Sequence, residues 1–219
     1  MNRRSLPIAL LLLACACGLS GQWPSSFGLK GGVALANQSY RITAIDQELD
    51  TRAVTGPTLS LFVEAFKSAH FSVQIDVGYA AKGSITTTRS LTVNHLANDQ
   101  ININDGEAAR SDFTYLSVVP LARYRWDLEP VCPYLLLGPR VDFLLRYDSE
   151  SEYPLEEQNK SILGLSIGAG LEYRLQNLGF FAELQYQPDL SPVTREEPLL
   201  INNHMLSLCL GLRWIVSGE

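Results

Sequence analysis

The chain has 219 residues, of which 46% are hydrophobic and 18% charged, with a formal net charge of −6. This composition excludes a disordered, collagen-like or low-complexity chain, and no basic cluster of the kind a nucleic-acid partner requires follows the first four residues. A mean hydropathy near zero excludes a bundle of membrane helices but not a membrane β-barrel, where apolar residues alternate with polar ones.

Residues 1–21 read as a secretory signal peptide, leaving a single domain over 22–219. A basic start, Met1 to Arg4, precedes an apolar run from Leu6 to Leu19, and Gly18-Leu19-Ser20 supplies small residues for cleavage near Ser20 or Gly21. The run is shorter than the roughly 20 residues a spanning helix needs. Leu12-Leu13-Ala14-Cys15 also reads as a loose lipidation signal, so a lipid on Cys15 is the alternative fate.

From there the chain carries one pattern. Eight segments alternate strictly between apolar and polar residues, at about 26–37, 56–67, 70–83, 112–126, 132–148, 161–175, 179–188 and 203–215. The third sets Phe71, Val73, Ile75, Val77, Tyr79 and Ala81 against Ser72, Gln74, Asp76, Gly78, Ala80 and Lys82. The eighth sets Leu206, Leu208, Leu210, Leu212 and Trp214 against Ser207, Cys209, Gly211 and Arg213. The connections after the second, fourth and sixth segments are short. Those after the first, third, fifth and seventh are long, at about 38–55, 84–111, 149–160 and 189–202. Short turns on one rim and long loops on the other predict an all-β fold, an eight-stranded antiparallel up-and-down transmembrane β-barrel with its short turns in the periplasm. Within the third connection, Ile85-Thr86-Thr87-Thr88 and Gln100-Ile101-Asn102-Ile103-Asn104 predict that the third and fourth strands continue as a hairpin above the membrane.

Alternation alone also fits a soluble, lipocalin-like lipid-binding barrel, which buries its apolar face. Two patterns favour lipid outside. Gly28, Gly32, Gly78, Gly138, Gly164, Gly168, Gly170 and Gly211 lie on the polar face and only Gly31 on the apolar one, as a crowded interior requires. On the apolar face, Phe27, Phe71, Tyr124, Trp126, Tyr173, Phe180 and Trp214 gather at the short-turn end, and Tyr79, Tyr147 and Tyr186 toward the other, as two interfacial girdles do.

The stretches Gly28 to Gly32, Phe71 to Gly83, Tyr115 to Tyr124, Pro133 to Leu145, Gly168 to Tyr173 and Ala182 to Tyr186 resemble the PorT-like outer-membrane β-barrel domain of Gram-negative bacteria, in order and spacing over about 26–215. The resemblance implies an eight-stranded barrel without catalytic residues, some of whose relatives take part in protein secretion across the outer membrane. Tyr115 to Pro120 holds one residue more than the family spacing, which predicts a bulge near Val118–Val119. The last strand, ending in Trp214, is similar to the signal read by the barrel-insertion machinery, although the tail Ile215 to Glu219 follows it.

The inward face is expected to carry Lys30, Lys82, Arg123, Arg125, Arg140, Arg146, Arg174 and Arg213 with Glu64, Asp76, Asp142, Glu172 and Glu183, and to be filled by Phe62 and Phe66. Eight strands enclose only enough space for side chains, so these charges predict a plug of ion pairs. Cys132 and Cys209 project inward on non-neighbouring strands and are expected to be free thiols. His70, His95 and His204 are scattered; His204 with Ser191 and Asp189, or His95 with Asp99, can be drawn as a hydrolase site but at no supporting spacing. No catalytic, cofactor or metal site is predicted. Asp148, Glu150, Glu152, Glu156 and Glu157, with Asp46, Glu48, Asp50, Glu196 and Glu197, make the long loops acidic. The sequence thus predicts a non-enzymatic outer-membrane barrel with a filled lumen, structural or scaffolding for an envelope or secretion partner. Its other expected partners are outer-membrane lipid and the insertion machinery, and no nucleic acid. A small channel, a membrane-embedded lipid enzyme and a soluble lipid carrier are the alternatives.

Overall fold

The computed structural model describes residues 24–42, 47–49, 51–66, 68–94, 100–149, 159–193 and 199–216. The expected signal peptide with Cys15, the pair His95 and Asp99, and the acidic positions 46, 50, 150–157 and 196–197 lie outside the described residues.

Among the described residues nine strands run in chain order: β1 (Ser26–Ile42), β2 (Gln47–Leu49), β3 (Thr51–Ala65), β4 (Phe71–Asn94), β5 (Gln100–Arg125), β6 (Val131–Ser149), β7 (Ser161–Leu175), β8 (Leu178–Pro188) and β9 (Leu199–Ile215). Among the described residues β2 pairs with the upper end of β1 alone. The other eight pair each with the next, antiparallel, and β1 closes on β9 through an unbroken ladder from Ser26↔Ile215 to Ile42↔Leu199. Closure removes every free edge from the wall, the requirement for a sheet in hydrocarbon, where no water can satisfy a bare amide. β4 and β5 stay paired as far as Asn94↔Gln100, so the hairpin expected above the membrane is present.

The pleat fixes which residues meet which environment. Along β8, exposed and buried residues alternate from end to end, with Phe180 47% exposed and its neighbour Phe181 only 5%. The apolar face points outward on every barrel strand: Leu29, Leu61, Val77, Leu116, Leu137, Ile167, Leu184 and Leu210 are exposed, while Lys30, Asp76, Arg140 and Glu183 are buried. A lipocalin-like interior is therefore excluded. The outward apolar stretch runs from Phe27 to Leu35 on β1 and from Leu206 to Trp214 on β9, which stand in register. That matches the roughly 9–11 residues of a tilted membrane-spanning strand. Beyond it come Asn37↔His204 and Ser39↔Asn202. At the short-turn end Phe27, Phe71, Tyr124, Trp126, Tyr173, Phe180 and Trp214 are all exposed, as are Tyr79 and Tyr186 at the other.

Four expectations are corrected. The bulge is not at Val118–Val119, which pair regularly with Val77 and Asp76. It lies higher on the other side of β5: Tyr115 faces Leu144 but Thr114 faces Arg146, leaving Leu145 as the extra residue of β6. Past it the faces exchange. Tyr147 turns in against Phe113, ring centroids 4.7 Å apart, instead of joining the outer girdle. Arg146 turns out, its side chain 73% exposed and paired with Asp148 at 2.6 Å, instead of entering the lumen. The cause is packing: Phe113, Tyr115, Ile162, Val193 and Ile201 form an apolar cap inside the loop end, where an aromatic ring fits and a guanidinium does not. Finally, Phe62 fills the lumen, but Phe66 lies in the turn after β3, half-buried, at φ 54°.

Candidate functional site

With lipid outside, the chain's distinctive chemistry is inside, and the pleat delivers it in three storeys. Nearest the short turns, Glu64 (β3), Arg123 and Arg125 (β5), Glu172 and Arg174 (β7) and Arg213 (β9) converge. Arg123 reaches Glu172 at 2.5 Å and lies over the Tyr134 ring at 3.9 Å. Arg213 meets both Glu64 and Glu172 and lies over Phe62 at 4.9 Å. Glu64 also accepts hydrogen bonds from Ser26, at 2.7 Å, and from Ser72. Arg174 bridges Glu172 at 2.9 Å and Asp127, in the β5–β6 turn, at 3.1 Å.

Above these lies an apolar layer of Phe62, Val119, Leu121, Tyr134, Leu136 and Phe181, with Phe62 and Phe181 edge to face at 5.6 Å. The middle storey is centred on Lys30. Its ammonium sits between Asp76 at 2.6 Å and Glu183 at 2.5 Å. Neutral donors support the two carboxylates: Tyr134 and Gln185 donate to Glu183 at 3.0 and 2.7 Å, and Gln74 to Asp76 at 2.7 Å. Buried charge persists only when paired and hydrogen-bonded in this way.

At the loop end, Lys82 and Arg140 hold Asp142 at 2.5 and 2.9 Å. Both also contact Asp189, Lys82 at 3.4 Å, and Asn203 donates to Asp189 at 2.9 Å. The apolar cap of Phe113, Tyr115, Ile162, Val193 and Ile201 belongs to this end of the barrel.

Most of the inward charges expected from the sequence are brought together here. Arg146 is the exception. Asp189 also enters the lumen, although the sequence places it in the long connection at 189–202. The signal was present: Glu183, Gln185 and Gln187 alternate inward, and extending that period past Pro188 reaches Asp189. Replacing Arg146 by Asp189 turns an excess of bases into a near-balanced set.

The interior is tightly filled. Among the described residues, one cavity of about 20 Å³ is lined by Lys30, Asp76, Ser117, Gln185 and Ser207, and a second of about 10 Å³ by Ser25, Glu64, Arg125, Arg174 and Arg213. A single water needs about 10–15 Å³. Cys132 and Cys209 are buried free thiols, as expected. The hydrolase grouping is not assembled. His204 alternates with inward Asn203 and Met205 and so sits on the outer face, the Ser191 hydroxyl accepts from the Leu163 amide at 2.8 Å, and Asp189 is committed to Lys82, Arg140 and Asn203. His70 is exposed at a turn, its ring 6.1 Å from that of Tyr124.

The structure of the outer membrane protein OprG from Pseudomonas aeruginosa is similar to this chain at TM-score 0.53 and 12% identity, over 90% of this chain and 99% of that one. Neisserial surface protein A is similar at TM-score 0.49 and 17% identity, over 87% and 97%. The outer membrane protease OmpT from Escherichia coli is similar at TM-score 0.47 and 8% identity, over 90% and 99%. No curated protein matches the sequence. The family model for the outer membrane protein beta-barrel domain matches residues 21–195. Together with a closed eight-stranded wall whose apolar face points outward, this places the protein in the outer membrane of Gram-negative cells, and the chain belongs to the outer membrane protein β-barrel domain family.

Proposed function

We propose that the protein is a non-enzymatic, side-chain-plugged barrel that acts as a structural element of the envelope and as a scaffold for a secretion or other envelope protein. The observation that carries this reading is the lumen. Among the described residues, the cavities of about 20 and 10 Å³ between three storeys of paired charge and the apolar layers have room for a water but not for a hydrated ion or a substrate. The likeness of Phe71 to Gly83 and Pro133 to Leu145 to PorT-like barrels supports the secretion side of the reading. On the same reading residues 1–21 are removed on export, and the strand ending in Trp214 is presented to the insertion machinery.

In planar bilayers the refolded barrel gives no stable conductance steps; reproducible open-channel events contradict the plug and favour a small channel. Purification in mild detergent from native membranes yields a stoichiometric envelope protein alongside the barrel. A barrel that is always recovered alone contradicts the scaffold.

A further inference from the structure

The wall is closed only as far up as its strands pair on both sides. β3 begins at Thr51, which pairs with Thr86, and among the described residues no strand pairs with β4 on that side from Thr87 to Asn94. The chain leading into β3 turns away from this stretch: Gln47, Glu48 and Leu49 pair with Ile42, Arg41 and Tyr40 of β1. On its other side β4 is held by β5, from Thr87↔Ala108 to Asn94↔Gln100. The result is a strand edge from Thr87 to Asn94, about 26 Å long at the rise of a strand. It stands above the membrane, and alternate residues turn their amide and carbonyl away from β5.

Two features set this edge apart. Sheets usually guard a bare edge with Lys, Pro or other obstacles. Thr87-Thr88-Arg89-Ser90-Leu91-Thr92-Val93-Asn94 has Arg89 as its one charge and no proline, and is rich in the Thr and Val that strands favour. By register the hairpin is also two-faced. Leu91 stands opposite Ile103 and Val93 opposite Ile101, while Ser90, Thr92 and Asn94 stand opposite Asn104, Asn102 and Gln100. Directly opposed residues share a face, so a strand added along β4 would extend an apolar face on one side and a polar face on the other.

We propose that the β4 edge from Thr87 to Asn94 binds an extended segment of another protein at the cell surface by strand addition. A row of backbone amides and carbonyls at strand spacing is matched by a second row at the same spacing, which is what an extended segment carries. The segment alternates apolar with polar residues, as the two faces require, and sets an acidic residue abreast of Arg89. It belongs to a different protein rather than to a second copy. Two copies in one membrane both run β4 away from the short turns and could pair these edges only in parallel, the less stable arrangement, whereas a foreign segment is free to run antiparallel. The inference gives the scaffold reading, on which it rests, a mode of docking.

The test uses the whole barrel refolded in detergent and a dye-labelled peptide of alternating Val and Thr with one central Glu, followed by fluorescence anisotropy. A twin peptide with every amide N-methylated keeps the side chains and offers no backbone donor. A shortened barrel replaces Ser90 to Asn104 by Asn-Gly, a two-residue turn joining Arg89 to its opposite number Asp105; it keeps the mobility shift on boiling that marks a folded barrel. The peptide binds the wild-type barrel, and N-methylation and shortening each weaken binding by about tenfold or more, the loss of several backbone hydrogen bonds. Arg89→Glu reverses the preference for the Glu peptide over its Lys counterpart. No binding, equal binding of peptide and twin, or undiminished binding by the shortened barrel overturns the proposal; a preference unchanged in R89E overturns the acidic residue of the segment. A wild-type barrel that sediments as a dimer, with a shortened one that sediments as a monomer, gives the edge to a second copy and overturns the foreign strand. A partner that co-purifies equally with wild type and the shortened barrel overturns this inference and leaves the scaffold standing. Peptide binding without any co-purifying partner overturns the scaffold and leaves the strand-accepting edge.

Discussion

At the scale of single residues, the interior is governed by what a low dielectric permits. Lys30 neutralises one of two carboxylates that it touches directly. Lys30→Met removes the charge but keeps an apolar stem, leaving Asp76 and Glu183 facing each other, and is expected to cost about 3–5 kcal/mol. Urea unfolding of the refolded barrel, followed by gel mobility, measures this, and a midpoint unchanged from wild type contradicts it. Glycine reports the same crowding. A Cβ on Gly170 would run into the Tyr134 ring, whereas one on outward Gly31 would make ordinary contact with Leu59 at 3.5 Å. Gly170→Ala should therefore destabilise by about 1–3 kcal/mol through overpacking, with Gly31→Ala near neutral. Equal effects at the two positions contradict the account. The sequence made most of these residues legible as inward, because a charge at an alternating position has nowhere else to go. Their partners were not legible: Arg123 on β5 pairs with Glu172 on β7, and Lys30 on β1 with Glu183 on β8, across an interior whose geometry no local pattern records.

At the scale of the strand, alternation fixes register because a slip of one residue exchanges lipid for lumen along the whole segment. Ile167, mid-way along the outward face of β7, is 46% exposed. Ile167→Arg is expected to cost about 2–4 kcal/mol, the depth-dependent penalty near the midplane. An equilibrium unfolding midpoint in lipid vesicles unchanged by this substitution contradicts the assignment. β6 shows where alternation stops being informative. Phe143-Leu144-Leu145 is apolar throughout, so nothing in it marks the point where the face changes, and the bulge that sends Arg146 out and Tyr147 in goes unseen. Because Leu145 is the residue without a partner, deleting it restores regular pairing without moving any inward side chain to the wrong face. The deletion is expected to fold with wild-type heat-modifiable mobility, and a variant that cannot fold contradicts the bulge. The upper ends of β1 and β9 extend past the alternating segments for a related reason. At 38–42 and 199–202 the two strands pair above the membrane, where neither face need be apolar, so the sequence shows no period there.

At the scale of the molecule, the fold is an answer to two solvents. The wall must be closed because hydrocarbon satisfies no amide, and a closed eight-stranded wall leaves an interior that side chains fill. Charge then becomes the interior's packing material, and the three storeys are its consequence. The buried thiols supply a check on the whole: Cys132 and Cys209 should resist a water-soluble maleimide in the folded barrel and react after boiling in detergent, with reaction in the folded state contradicting a filled lumen. The central claim is that lipid meets the apolar face and ion pairs meet each other. Phe180 and Phe181 test it most directly, since they are adjacent, aromatic and placed on opposite faces. In a background with the three native tryptophans changed to Phe, Phe180→Trp should be strongly quenched by phospholipid brominated in its acyl chains, and Phe181→Trp should not. Quenching at 181 with protection at 180 would contradict the account.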